Sequence, residues 1–260
     1  MKKLMTCLLM VSSVLFQPII FAETVIKFAT DATYPPYEFL DSTGEMKGFD
    51  IDVTKAICNE INAKCTVTNQ PFDSLIASLK MGKFDAIIGA LAVTDARKQQ
   101  VDFTNIYYNN TVSVVAKKGA LNSLAKEDVM GKVIGAQAGT TFENYLADVY
   151  GEFIKVNTYT SIENAFMDLK SGRIDALITE TPQAKEWIKK NNPPADALSK
   201  GGQEFTLVGA PISSEKYFGP GMAIAVKKGN TALVTQLNQG LSNLQANGTL
   251  QQLIKKYFGE

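Results

Sequence analysis

Arg97 and Glu180 are the side chains whose surroundings most suggest recognition chemistry. Arg97 closes the run Gly89-Ala90-Leu91-Ala92-Val93-Thr94-Asp95-Ala96-Arg97, in which small residues give way to a polar loop. A guanidinium is a planar fork that grips a carboxylate through two parallel hydrogen bonds. Small residues at the carboxyl end of a buried strand let a ligand approach the backbone, and in open α/β sheets ligands sit at that end. By itself Arg97 reads equally well as a surface arginine after a strand. Asp31 and Tyr34 also lie just beyond the end of a strand, 25–29. The segment 132–142 is a strand, a small-residue turn and then a helix start, whose free backbone N–H groups suit an anion. The chain contains no histidine. That excludes Ser-His-Asp and Cys-His catalysis and histidine-based metal sites, so neither a catalytic residue nor a metal or cofactor is expected.

An internal duplication gives Arg97 and Glu180 more weight. Residues 78–88, SLKMGKFDAII, recur as 168–178, DLKSGRIDALI, at an offset of 90 residues. Each copy reads as a helix end, a closing glycine and a short buried strand, with Phe84, Ala86, Ile87 and Ile88 forming the first strand's core. The first copy continues through Ala90 into the loop that carries Arg97. The second ends at Glu180. Two similar lobes facing each other across a cleft follow from this, one presenting a cation and the other a carboxylate.

The chain has 260 residues, with 45% hydrophobic and 20% charged residues, enough for one large or two medium globular domains. Lys2 and Lys3, the apolar run 4–21 and the small Ala22 make a secretory signal, cut after Ala22; an uncleaved anchor is the alternative. Without Lys2 and Lys3, 24 basic residues face 26 acidic ones, a net charge of −2 that leaves no basic footprint for nucleic acid. Cys58 and Cys65 then remain in an exported chain. Their spacing suggests a disulfide, with two buried thiols as the alternative, and without histidine they make a poor zinc site.

Strands alternate with helices along the rest of the chain, which says α/β. Asp50 or Asp52 is placed to cap a helix with Val53, Ala56, Ile57 and Ile61 inward, and Asp73 to cap the helix 74–81. Residues 104–116 read as one long strand crossing between the lobes, and 217–221 as a hinge before the strand 222–226. Further strands are expected at 155–159 and 205–208, with a Pro- and Gly-containing loop at 191–202. Helices are expected at 182–189, 231–246 and 250–257.

The motifs Thr-Asp-x-Thr-Tyr-Pro-Pro-Tyr-Glu-Phe, Gly-Phe-Asp-Ile-Asp, Phe-Asp-Ser-Leu-Ile, Val-Thr-x-x-Arg, Gly-x-x-x-Gly-Thr-Thr and Gly-Arg-Ile-Asp-Ala follow in this order between Thr30 and Ala176, within a likeness that covers residues 25–258. In this the chain resembles the periplasmic amino-acid-binding proteins of ABC importers, and within them the group for basic amino acids: arginine, lysine/arginine/ornithine or histidine, with the arginine binders nearest. The resemblance implies a two-lobed periplasmic-binding-protein fold, each lobe a central mixed sheet flanked by helices, joined by a two-strand hinge. Lobe 1 would comprise 23–111 and 222–260, and lobe 2 residues 112–221, after the signal segment 1–22. It also implies a monomeric periplasmic protein that hands its ligand to a membrane permease.

Carried onto this chain, the resemblance gives Arg97 the ligand's α-carboxylate, shared with the backbone N–H of Ala92 and with the N–H and hydroxyl of Thr141. Glu180 and the Ala90 carbonyl take the α-ammonium. Tyr34 and Phe72 sandwich the ligand side chain, Asp31 meets its distal cation, and Gln137 assists. Cys58–Cys65 corresponds to a disulfide of the basic-amino-acid group. Glu180 stands where many members have Asp, and Ala90 and Ala92 where some have serine. The chemistry is self-consistent, since a zwitterion needs one cation and one anion, and a guanidinium adds a charge for Asp31 and a flat face for Tyr34 and Phe72. Glu38 is read as structural. A cyclohexadienyl dehydratase-like enzyme with Glu180 as general acid, and an extracellular sensor domain, are the competing readings.

Overall fold

The computed structural model describes residues 25–109, 111–194 and 204–260. The segment 1–22, expected to be an export signal, therefore lies outside the described residues, as does most of the loop expected at 191–202.

The strands are β1 (Val25–Thr30), β2 (Thr33–Tyr34), β3 (Glu38–Leu40), β4 (Met46–Lys47), β5 (Lys64–Asn69), β6 (Ala86–Ile87), β7 (Val101–Phe103), β8 (Val112–Lys117), β9 (Val133–Gln137), β10 (Lys155–Tyr159), β11 (Ala176–Glu180), β12 (Phe205–Ile212) and β13 (Ala225–Lys227). The helices are α1 (Phe49–Glu60), α2 (Leu75–Lys80), α3 (Asp95–Lys98), α4 (Lys126–Val129), α5 (Thr141–Tyr150), α6 (Ile162–Ser171), α7 (Thr181–Asn191), α8 (Glu215–Phe218), α9 (Thr231–Ala246) and α10 (Thr249–Phe258). Two five-stranded mixed sheets form the two lobes, in the orders β5-β1-β6-β13-β7 and β10-β9-β11-β8-β12, with a small third sheet β2-β3-β4. In each large sheet three parallel strands are followed by two antiparallel pairings. Strand β1 thus corresponds to β9, and β6 to β11.

The duplicated segments occupy those equivalent places, and the reason for their shared residues is visible. Gly82 (φ 75°) and Gly172 (φ 77°) close α2 and α6 in the left-handed conformation that glycine adopts without a Cβ penalty. Asp85 Oδ2 accepts the N–H of Lys27 at 2.8 Å, and Asp175 Oδ2 that of Val133 at 2.8 Å. The N–H of each aspartate donates back to the carbonyl of the same residue, at 2.7 Å and 2.8 Å. Each aspartate therefore sets the register of its strand against the first strand of its sheet.

Several local expectations are corrected. The stretch 104–116 is not one strand. Only Val112–Lys117 is regular, because Tyr107 and Tyr108 turn into an aromatic cluster with Tyr37, Phe49 and Phe258. The crossing toward the 222–226 segment is made instead by isolated hydrogen bonds, such as Met222 N–H to the Tyr108 carbonyl at 2.8 Å. Helix α1 begins after Gly48, with neither Asp50 nor Asp52 capping it. Asp50 is buried and bonds elsewhere. Asp73 does not cap α2, which comes after a short 3-10 turn, Phe72–Ser74. Strand β12 runs on to Ile212, past the expected 205–208. Cys58 and Cys65 are joined by a disulfide with Cα atoms 6.2 Å apart, tying α1 to β5.

Candidate functional site

The carboxyl ends of β1, β6, β9 and β11 converge between the two sheets. Of the residues expected to bind ligand, Asp31, Tyr34, Phe72, Ala90, Gln137 and Glu180 line a cavity there, whereas Ala92, Arg97 and Thr141 are not among its lining residues. Asp31, directly after β1, is buried. Its Oδ1 accepts the Thr33 hydroxyl at 2.9 Å, and its Oδ2 accepts the Phe72 N–H at 3.2 Å and Gln137 Nε2 at 2.7 Å. Burial pushes its carboxyl up, and those three hydrogen bonds act against the rise. Gln137 ends β9, so this last bond crosses the cleft.

Arg97 is 8% exposed, on the single turn α3 that Thr94 caps. Burial lowers its guanidinium to about 10, which leaves it charged at neutral pH. Nη1 donates to the Ala92 carbonyl at 2.9 Å, and Nη2 donates across the cleft to the Gly139 carbonyl at 3.1 Å. The guanidinium carbon lies 5.5 Å from the centre of the Phe72 ring, within cation–π range. Phe72, expected against a ligand side chain, here carries the arginine of its own chain.

Glu180 ends β11 and is buried. Burial pushes its carboxyl up to about 8. The Tyr34 hydroxyl reaches over from the opposite lobe and donates to Glu180 Oε2, and it lies 2.6 Å from Thr179 Oγ1. Ala90 adopts φ 45°, a conformation in which an alanine is strained and its peptide groups are re-aimed. Its N–H donates to Asp50 Oδ2 at 2.7 Å, which holds that geometry. Ala92 is buried and forms an isolated bridge with Met222.

Thr141 is the first residue of α5 and half-buried. Thr140, one residue earlier, lines the central cavity and donates its hydroxyl to the Gln137 carbonyl at 2.6 Å. Gly139 completes this turn at φ 76°, and a Cβ on it would come within 2.8 Å of Asp73 Cα in the opposite lobe. Close apposition of the lobes there requires glycine.

A cavity of about 20 Å3 remains at the centre, lined by Asp31, Tyr34, Glu38, Phe72, Gly89, Ala90, Gln137, Thr140 and Glu180. That is room for a water molecule or so, far below the several hundred Å3 of a small-molecule pocket. The lobes are closed on each other through Tyr34–Glu180, Asp31–Gln137 and Arg97–Gly139, and a ligand must part them to enter.

Glu38, read from the sequence as structural, also lines this cavity. It is 1% exposed and has an Oε2 without a hydrogen-bond donor. The signal was present in the hairpin. Tyr34 and Glu38 are directly opposed across β2 and β3, and opposed residues share a face. If Tyr34 looks into the cleft, so does Glu38.

The model of the bacterial extracellular solute-binding proteins, family 3, matches residues 26–260. The chain belongs to that family. Within family 3 it is 42% identical, over 90% of either chain, to the ABC transporter arginine-binding protein 1 of Escherichia coli K12. Its fold is similar to that of a Salmonella typhimurium periplasmic binding protein described by its high arginine specificity, with a TM-score of 0.81 and 37% identity over 90% of this chain and 99% of that one. It is equally similar to an ancestral arginine-binding protein solved with glutamine bound, with a TM-score of 0.81 and 34% identity over 92% of this chain and 100% of that one. As a family-3 member, the chain has its cleft where the strand ends of the two lobes meet. Among the described residues no helix is long and apolar enough to cross a membrane.

Proposed function

We propose that this chain captures a basic L-amino acid, arginine first, in the periplasm, and delivers it as a monomer to the membrane permease of an ABC importer. The observation that carries the ligand assignment is the acidic end of the cavity. Asp31 and Glu38 are both buried there, beside the aromatic ring of Phe72. Two carboxyls without a cation among the cavity's lining residues suit a ligand that brings one. The names of the arginine-binding relatives support the same choice.

In this reading Arg97 exchanges its carbonyl partners for the ligand's α-carboxylate, with the Ala92 N–H and Thr141 completing the contact. Glu180 turns from the Tyr34 hydroxyl to the α-ammonium, helped by the Ala90 carbonyl. Tyr34 and Phe72 flank the side chain, while Asp31, oriented by Gln137, meets its distal cation. Lobe 1 is taken as 23–111 with 222–260 and lobe 2 as 112–221. Segments near 111 and 221 act as the hinge, and residues 1–22 as the export signal. Capture is hinge closure around the ligand.

A dehydratase is the weaker reading. Its anionic substrate would lie against Asp31 and Glu38, and the similar proteins are named as binding proteins, not enzymes. A thermal-shift screen of the common amino acids tests the proposal. Ligand stabilises as RT ln(1 + [L]/Kd), about 4 kcal/mol at a thousandfold excess over Kd. Arginine should raise Tm most. Unchanged Tm with arginine, lysine, ornithine and histidine alike would overturn the reading.

A further inference from the structure

Beneath the cavity floor lies a second carboxyl that binding alone does not explain. Asp50 is fully buried at the start of α1, beside Glu38. Its Oδ2 accepts the Ala90 N–H at 2.7 Å and the Tyr107 hydroxyl at 3.0 Å. Its Oδ1 has no donor, and neither has Glu38 Oε2. The Asp50 N–H donates to the Tyr37 carbonyl at 2.9 Å, which sets the Asp50 and Glu38 carboxyls side by side. Two carboxylates have only acceptors to offer, so a hydrogen bond between them needs a proton on one of them. A single shared proton satisfies both orphan oxygens at once, and like charges this close cannot both ionise without compensation.

The neighbours do not compensate. From the end of β1 comes Asp31, another acid. From the β2–β3 turn and the segment before β8 come the hydroxyls of Tyr37, Tyr107 and Tyr108, and Glu260 lies near Tyr37 and Tyr108. Beside Glu38 on the hairpin stands Tyr34, and across the cavity Glu180, while Arg97 is directed at the Ala92 and Gly139 carbonyls. Burial and the Asp50 charge push the Glu38 carboxyl well up. Among the described residues, no lysine or arginine lines the cavity or hydrogen-bonds to either carboxyl.

We propose that Glu38 and Asp50 share one proton in the unliganded protein and lose it to solvent when a side-chain cation enters the cleft. The proton leaves as H+ to the buffer, and the ligand's guanidinium or ammonium takes over its role as counter-charge. The pair is then a specificity device. With the proton in place, the floor carries one negative charge fewer and tolerates an uncharged side chain. With the proton gone, it is a dianion matched to arginine, lysine or ornithine. This rests on the basic-amino-acid reading above, and it makes arginine affinity rise with pH wherever the unliganded pair still holds its proton.

Titration calorimetry with L-arginine, repeated at neutral pH in buffers of different ionisation enthalpy, counts the protons released. Glu180 and Asp31 can release protons too, so the count is compared between the wild type and Glu38→Gln, whose amide cannot take part. Release with arginine should be about one proton greater in the wild type. L-glutamine, which brings no cation, should release equally from both. If arginine binds and the two proteins release the same number, the inference is overturned while the binding reading stands. If arginine does not bind the wild type, the binding reading itself has failed. Should Glu38→Gln not fold, carbon-13 NMR of the assigned Glu38 and Asp50 carboxyls in the wild type decides. One proton must be present before arginine and absent after it, and carboxyl shifts unmoved by saturating arginine would refute the proposal.

Discussion

Strands β6 and β11 enter the cleft from equivalent positions, one in each lobe, and leave it differently. Both come after a helix closed by a left-handed glycine, and both begin at an aspartate that locks them to the first strand of their sheet. Beyond that shared base, β11 stays extended for Ala176–Glu180 and ends by delivering a carboxylate side chain. Strand β6 stops after Ala86–Ile87. Its continuation unwinds through Gly89 and the strained Ala90, so that backbone groups and the one-turn helix with Arg97 reach the cleft. The same scaffold thus offers a side-chain carboxyl on one side, and main chain plus a cation on the other. In the proposed function, a duplicated unit becomes a zwitterion receptor through a change confined to the residues just beyond its last shared position.

The sharpest way to break this comparison is to remove the cation. Arg97→Ala should leave Glu180 and the duplicated framework intact, and yet abolish most binding. Deleting one partner of a buried charge pair costs on the order of 2–5 kcal/mol, about 30-fold to several thousandfold in affinity. Arg97→Lys should recover only part, since an ammonium cannot form the fork. Calorimetry that placed Arg97→Ala within a factor of three of wild type would remove Arg97 from the site.

The anionic side makes itself felt through pH. Folding raises the Glu180 carboxyl from an ordinary 4.5 to about 8 by burial. A carboxyl raised by folding binds its proton more tightly in the folded protein. Its stabilising contribution is complete below the unfolded value and is lost as pH rises through the folded one. The unliganded protein should therefore lose melting temperature between about pH 5 and pH 8, on the order of 5 °C, because opening of the cleft hydrates the carboxyl and limits the loss. Glu180→Gln should flatten much of that slope. A melting temperature that stays level or rises over this range would show that Glu180 remains ionised in the closed cleft.

In the proposed function, choice among amino acids belongs to neither half of the duplication but to the acidic end of the cavity, where Asp31 after β1 lies near Glu38. Asp31→Asn keeps shape and removes charge. It should weaken arginine by roughly 1.5–3 kcal/mol, the range for hydrogen bonds to charged groups, and glutamine far less. The measured quantity is the arginine-to-glutamine affinity ratio. If it does not change, Asp31 serves only to anchor Phe72 and Gln137, the partners it already has.

How much of this was legible in the sequence differs between framework and site. The duplicated skeleton identified the equivalent strands, because glycine closure and the aspartate lock are local devices that leave residue-type marks. The family resemblance located Asp31, Tyr34, Phe72, Gln137 and Glu180, all of which line one cavity. Glu38 escaped because its role depends on a hairpin register, and Asp50 because a carboxyl at a helix start reads as a cap until its burial is known. The single long strand expected at 104–116 failed for a related reason. Tyrosines favour strands in isolation, but here Tyr107 and Tyr108 are drawn into the aromatic cluster around Phe49.

The smallest predicted effect isolates the device that the two lobes have in common. Asp85 and Asp175 make the same pair of bonds in the two copies, and neither lines the cleft. Replacing either by alanine deletes a side-chain acceptor for one backbone N–H, a loss of about 0.5–1.5 kcal/mol each. The two aspartates differ in one neighbour, since Lys132 sits 3.7 Å from Asp175 in a surface ion pair. A pair of that kind should add little, so the two substitutions should destabilise alike and, being far apart, additively. Urea unfolding of the two single variants and the double variant tests this. Costs that differ by more than about 1 kcal/mol would mean that the duplicated aspartates no longer do the same job.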